Sequence, residues 1–127
     1  MEPGRAIIVD ALAASDTRPS RLEIYDRDIG VRLLHQDPVS GAEHYLIRYP
    51  AGLRNRRHRH TASQTIVVLE GRLAVNGRIV GRGAYCHLAP GEPMVHAPAD
   101  DEPCTFVSIF DGPVDAEPLD EGFRGRA

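Results

Sequence analysis

Two cysteines, Cys86 and Cys104, are all that the chain carries, and no Cys-x-x-Cys pair stands among its 127 residues. That excludes a disulfide framework and a thiolate zinc knuckle. No apolar run reaches the ~20 residues that a membrane-spanning helix needs. The segment from Met1 to Ser15 has an apolar patch, but Asp10 breaks it, and the ordered regions of a signal peptide are missing. An excess of positive charge is missing too. The formal net charge is −3, which argues against a nucleic-acid partner. Helix signals are nearly absent, with room for one short turn over residues 10–16. There is no internal repeat and no low-complexity tract. What survives is a single cytoplasmic domain, long enough to bury a core without disulfide or metal staples. Neither membrane nor nucleic acid is among its expected partners.

What the chain does have is punctuation: 12 glycines and 10 prolines bracket short β-branched runs. Strands are expected over 21–26, 31–36, 42–52, 64–71, 83–90 and the run from Cys104, with a short one at the segment Met94 to Pro98. Between 72 and 81, Asn76-Gly77 sits inside apolar alternation. That dipeptide is the favoured two-residue hairpin turn because both central residues take positive φ. Many short strands at regular spacing predict an all-β fold, an antiparallel barrel or jelly roll. Residues 21–111 form that barrel. Residues 1–20 form an arm whose apolar stretch Ala6 to Asp10 is suited to pair with a partner's sheet edge, so a homodimer is expected. Residues 112–127, rich in Pro, Gly and charge, are expected to be extended or poorly ordered, with Phe123 packing back.

The chemistry lies in "GLRNRRHRHTASQTIVVLEG", residues 52–71. His58 and His60 stand two apart, so on a strand they share one face, about 6–7 Å apart along the backbone. Gln64 has the same parity. His96 lies beyond the hairpin and faces the pair if the sheet closes. Three neutral imidazoles are good ligands for a divalent transition metal. The alternative is a basic, solvated surface loop.

The spacing decides between them. Gly52, His58, His60, Gln64 and Gly71 resemble the first motif of the cupin superfamily at every position but one. Gly83, Pro90, Gly91 and His96 resemble its second motif more loosely. The resemblance implies a small cupin barrel with one divalent metal on His58, His60 and His96. Gln64, where the family usually carries Glu, is then a weak fourth ligand or a hydrogen-bond partner of a ligand histidine. Three neutral histidines would leave the ion its full charge, hence a strong Lewis acid with appetite for an anionic chelating ligand. Three-histidine cupins that this chain resembles include dioxygenases acting on β-diketones and enolates.

The expected function is therefore an Fe(II) dioxygenase cleaving a C–C bond in a β-diketone, enol or keto-acid-like small molecule. Zn, Mn, Ni and Co are the other metals to consider. A non-oxidative isomerase, cyclase or lyase is the second reading, and a non-catalytic ligand- or metal-sensing module the third. Arg56 shares strand parity with His58 and is the candidate to grip a substrate carboxylate. Otherwise it joins Arg54, Arg57 and Arg59 as solvated or surface-paired charge. Tyr85 and His87 share one face of their strand and Cys86 takes the other. His87 is expected to be half-exposed, His35 and His44 to be structural or surface residues, and both cysteines to be small buried apolar groups.

Overall fold

A computed structural model describes residues 6–124. It contains eleven strands: β1 (Arg18–Ser20), β2 (Ile29–Gln36), β3 (Glu43–Tyr49), β4 (Asn55–Arg59), β5 (Gln64–Glu70), β6 (Leu73–Val75), β7 (Arg78–Val80), β8 (Tyr85–Leu88), β9 (His96–Pro98), β10 (Cys104–Phe110) and β11 (Glu117–Arg124). The helical content among these residues is one 3-10 turn, Ala14–Asp16. Every strand pairing is antiparallel. The main sheet runs β1-β2-β3-β10-β5-β8, and two smaller sheets pair β7-β6-β9 and β11-β4.

The alternation of the sequence builds the walls. Gln64, Ile66 and Val68 of β5 are buried, while Thr65 and Val67 between them are only half-buried. On β10, Cys104, Phe106, Ser108 and Phe110 take the inner side, as the period of two requires. Ile47, Tyr49, Ile66, Val68 and Phe106 from the main sheet pack with Leu73, Leu53 and Met94 in one core. The Asn76-Gly77 turn has φ of 49° and 83°, joining β6 to β7 as its composition predicts. At Gly71, a Cβ would lie 2.3 Å from the Pro103 carbonyl oxygen, and φ is +75°. Only glycine fits there.

Two expectations change. Residues 21–26 form a turn rather than a strand, joined to β4 by one isolated bridge, Tyr25 to Asn55. The Tyr25 amide bonds back to the Leu22 carbonyl at 3.0 Å, and Asp26 accepts from the Arg54 amide at 3.0 Å. One local turn bond and a few bonds to the segment entering β4 replace a full ladder while still burying Ile24 and Tyr25. The C-terminal segment is extended, and it is also paired: β11 runs against β4, with Pro118 opposite His58 and Phe123 opposite Arg56. In the N-terminal arm, Ile7 and Ile8 are exposed and lie outside any strand.

Candidate metal centre

The inward-facing parity of the segment entering β4 does not hold throughout. Leu53 and Asn55 are buried, then His58 and His60. The step from 55 to 58 is odd, so the face switches at Arg56 and Arg57. Arg56 is consequently not at the cavity. Its Nε donates to the Asp120 carbonyl on β11 at 2.8 Å, which corrects the expectation of a substrate-gripping guanidinium. Arg54 and Arg57 are exposed, and Arg59 pairs with Glu117 at 2.8 Å. The arginine cluster and the histidine pair are thus two faces of one strand.

His58, His60 and His96 converge, with one ring nitrogen from each within 4.8 Å of the others. The rings of His58–His60 and His58–His96 stand edge to face at 5.1 Å in both cases. Every Nδ1 is engaged. His58 Nδ1 donates to the Arg56 carbonyl at 2.6 Å, and His60 Nδ1 donates to the Asp115 carbonyl. A carbonyl can only accept, so both imidazoles carry their proton on Nδ1 and turn a bare Nε2 lone pair inward. His96 Nδ1 instead meets the Tyr49 hydroxyl at 2.7 Å.

Burial holds the site neutral. It pushes the imidazolium pKa of His58 down to about 4, and it lowers that of His60 and, further, of His96. For His96 the neighbouring histidines add to the effect of burial. His58 Nε2, His96 Nε2 and Gln64 Oε1 are buried without a hydrogen-bond partner. Orphaned buried polar atoms are costly, about 1–3 kcal/mol each, and a shared cation would satisfy all three once the His96 ring carries its proton on Nδ1. The donor set therefore fits a divalent transition metal: three neutral imidazoles and one amide oxygen.

Gln64 is aimed by Ser108. Its Nε2 donates to Ser108 Oγ at 2.9 Å, which leaves the carbonyl oxygen free. His96 is aimed by a residue that sequence reasoning missed, Asn55. Its Nδ2 donates to the His96 carbonyl, and its Oδ1 accepts from the His96 amide at 3.3 Å. An asparagine at 0% exposure inside an arginine-rich stretch is a signal only once burial is known. The Met94 carbonyl accepts from the His58 amide at 3.0 Å, bringing the segment before β9 beside β4. Val114 and Ala116 of the C-terminal segment line the cavity, and Asp115 fixes His60, so that segment is part of the site.

A cavity of about 260 Å³ opens onto His60, Gln64 and His96. Its walls are largely apolar or aromatic, among them Ile24, Val31, Ile47, Phe106 and Phe110, and among the described residues no arginine lines it. Glu43 lines it, but both its carboxylate oxygens are taken, by the Tyr45 hydroxyl and by the Val114 amide at 2.8 Å. Tyr25 and Tyr49 also line it, joined hydroxyl to hydroxyl at 2.7 Å. Burial raises the Tyr25 pKa to about 12 and that of Tyr49 well above its usual value, so both phenols keep their protons.

Outside the site, Tyr85 and His87 point to solvent, with Thr65 Oγ1 at 3.0 Å from His87 Nδ1. His35 and His44 form an edge-to-face pair at 5.3 Å across β2 and β3. Both cysteines are free thiols, Cys104 buried and Cys86 partly so.

The ChrR cupin-like domain family matches residues 15–115. The chain belongs to that family. As a cupin it has many relatives of known structure. A cupin-like protein from Thermotoga maritima superposes with a TM-score of 0.72 at 22% identity, covering 87% of this chain and 89% of that one. An acetylacetone dioxygenase from Acinetobacter johnsonii reaches 0.75 at 17% identity, over 99% and 90%. The polyketide cyclase of Streptomyces resistomycificus reaches 0.68 at 19% identity, over 91% and 88%. No curated protein matches the sequence. At these identities the shared property is the cupin fold.

Proposed function

We propose that this cupin is a metal-dependent enzyme, with Fe(II) as its metal, that cleaves a C–C bond of a β-diketone, enol or keto-acid-like small molecule with O2. One observation carries the reading. The cavity is largely apolar, free of arginine and lysine among the described residues, and opens onto His60, His96 and the Gln64 amide, with His58 buried directly behind them in the same three-histidine cluster. An ion held by His58, His60, His96 and Gln64 would keep its full +2 charge in a low-dielectric pocket. It would supply Lewis acidity to an enolate that no side chain here is placed to neutralise. The surrounding residues exclude water, hold the imidazoles neutral and orient the amide. The cavity suits a molecule that is apolar except at one chelating end.

Oxygenolytic cleavage of a β-diketone places both oxygen atoms in products, a carboxylic acid and an α-dicarbonyl. The test is oxygen uptake by the Fe(II)-loaded protein over a panel of β-diketones and α-keto acids. The expected result is uptake stoichiometric with diketone loss. Substrate loss without oxygen uptake would favour a non-oxidative cyclase or lyase, a reading that the fold shared with a polyketide cyclase keeps in view. Ligand binding with no turnover would favour a sensing module.

The setting proposed is a cytoplasmic homodimer. Two free thiols suit a reducing compartment, and no helix among the described residues is long and apolar enough to cross a membrane. Exposed Ile7 and Ile8, at 58% and 80%, are available to pair with a second copy. A monomer mass by light scattering at micromolar concentration would remove the dimer.

A further inference from the structure

The three histidines differ in what holds their Nδ1 atoms. His58 and His60 face carbonyls, which fix the tautomer whether or not anything binds Nε2. His96 faces a hydroxyl, which can give or take a proton in a hydrogen bond. Beyond that hydroxyl lies a second one, Tyr25, at 2.7 Å. Among the described residues, Tyr25 Oη has no other hydrogen-bond partner, and Tyr25 lines the cavity.

Directionality follows from counting protons. When the His96 Nε2 lone pair is taken up by an ion, the ring's single proton resides on Nδ1, which must donate to Tyr49 Oη. Tyr49 then spends its own proton on Tyr25 Oη. Tyr25 is left with a proton and no acceptor in the protein, on the wall of an apolar cavity. With Nε2 protonated instead, every bond in the chain reverses, and Tyr25 donates to Tyr49.

We propose that Tyr25 is the cavity's hydrogen-bond donor to a ligand carbonyl or enolate oxygen, aimed there by a one-way chain from His96 through Tyr49 that forms when His96 Nε2 is occupied. This rests on the metal reading above. Tyr25 is a binding residue in this scheme and Tyr49 a positioning residue. The donor matches the chemistry inferred for the ligand, a molecule with two oxygens of which the ion need not satisfy every lone pair. It also gives an apolar cavity a polar contact that is present only in the loaded state, so binding of ion and ligand is coupled through three side chains.

The experiment uses the full-length protein loaded with zinc, which removes redox chemistry, and acetylacetone as probe, both followed by calorimetry. Tyr25→Phe should keep zinc affinity within about twofold and bind acetylacetone about tenfold more weakly, as expected for loss of one hydrogen bond to a charged oxygen. Tyr49→Phe should weaken zinc itself by about tenfold, because it strips the acceptor from a ligand histidine. The unaltered protein supplies a check independent of any substitution. Histidine 15N shifts on zinc titration should show His96 Nδ1 protonated in the zinc form. Wild-type acetylacetone affinity in Tyr25→Phe, no acetylacetone binding to the zinc-loaded wild type, or an unprotonated His96 Nδ1 would each overturn the proposal. Failure of the wild type to bind zinc would overturn it together with the metal reading, and that outcome is distinguishable from the others.

Discussion

The two walls of the candidate metal centre are held by different kinds of partner. On the β4 side, His58 and His60 are anchored by backbone carbonyls, of Arg56 and Asp115. On the facing side, Gln64 and His96 are anchored by side chains, of Ser108, Tyr49 and Asn55. A carbonyl anchor is acceptor-only, and no side-chain substitution deletes it. A hydroxyl or amide anchor works in both directions and is lost with one mutation. The site is therefore fixed on one side and tunable on the other. The β4 pair is pre-organised by the fold, whereas the properties of Gln64 and His96 depend on neighbours that can be changed singly.

Removing one histidine from each wall should have the largest effect. His58→Ala and His96→Ala should each abolish metal binding in calorimetric titration, a loss of at least about 100-fold for a three-imidazole site. If His96→Ala kept wild-type affinity, the tunable wall would lie outside the coordination sphere.

Acid comes next. His58 has its imidazolium pKa pushed down by burial to about 4, against ~6.5 for a free histidine. Between those values the unfolded chain takes up a proton that the folded chain refuses. Stability of the metal-free protein is therefore unaffected above that window and falls as pH drops through 6.5 toward 4. The loss from His58 alone reaches about 3 kcal/mol at pH 4. His60 and His96 shift in the same direction and steepen the fall. Denaturant midpoints across this window check the slope, and His58→Ala should flatten it.

Much of this was legible in the chain, and the gaps have physical causes. His58 and His60 keep a shared inner face because both lie past the irregularity in β4, whereas Gln64 begins β5 after a bend and reaches the same side by chain reversal rather than by strand parity. The Asn76-Gly77 turn was readable because its φ requirement is local. Asn55, Tyr49 and Ser108 were not, since their partners lie 41, 47 and 44 residues away and no local pattern announces them. The role of the C-terminal segment was hidden by its composition. Proline and charge read as an extended or poorly ordered tail, yet its carbonyls anchor His60 and Arg56, and carbonyls leave no trace in a sequence.

Gln64→Glu changes the charge of the tunable wall alone. A carboxylate in place of the amide adds an anionic ligand and lowers the net charge of the loaded site from +2 to +1. Metal affinity should rise by about tenfold, and affinity for an anionic diketone should fall by a similar factor. It also removes the amide donor that now meets Ser108 Oγ, a hydroxyl that can answer by donating instead. Opposite signs for the two ligands are the signature. Unchanged values for both would place Gln64 outside the coordination sphere and remove the argument from site charge.

The smallest expected effect belongs to Arg56. It stands on the fixed wall, two residues from His58, and it is the cation that spacing alone would assign to the substrate. The face switch between Asn55 and His58 turns it instead toward β11, where its Nε donates to the Asp120 carbonyl at 2.8 Å. Arg56→Ala removes that bond and the packing of its aliphatic stem, a cost of about 1 kcal/mol in unfolding free energy. The Arg56 carbonyl that anchors His58 is main chain and survives the change, so metal affinity should stay within about twofold by the same reasoning. Diketone affinity should be equally unmoved, because no guanidinium of the described residues lines the cavity. A large drop in ligand affinity with metal binding intact would mean that Arg56 swings into the cavity when it is occupied. It would also mean that the positive charge for the substrate is shared between ion and arginine rather than supplied by the ion alone.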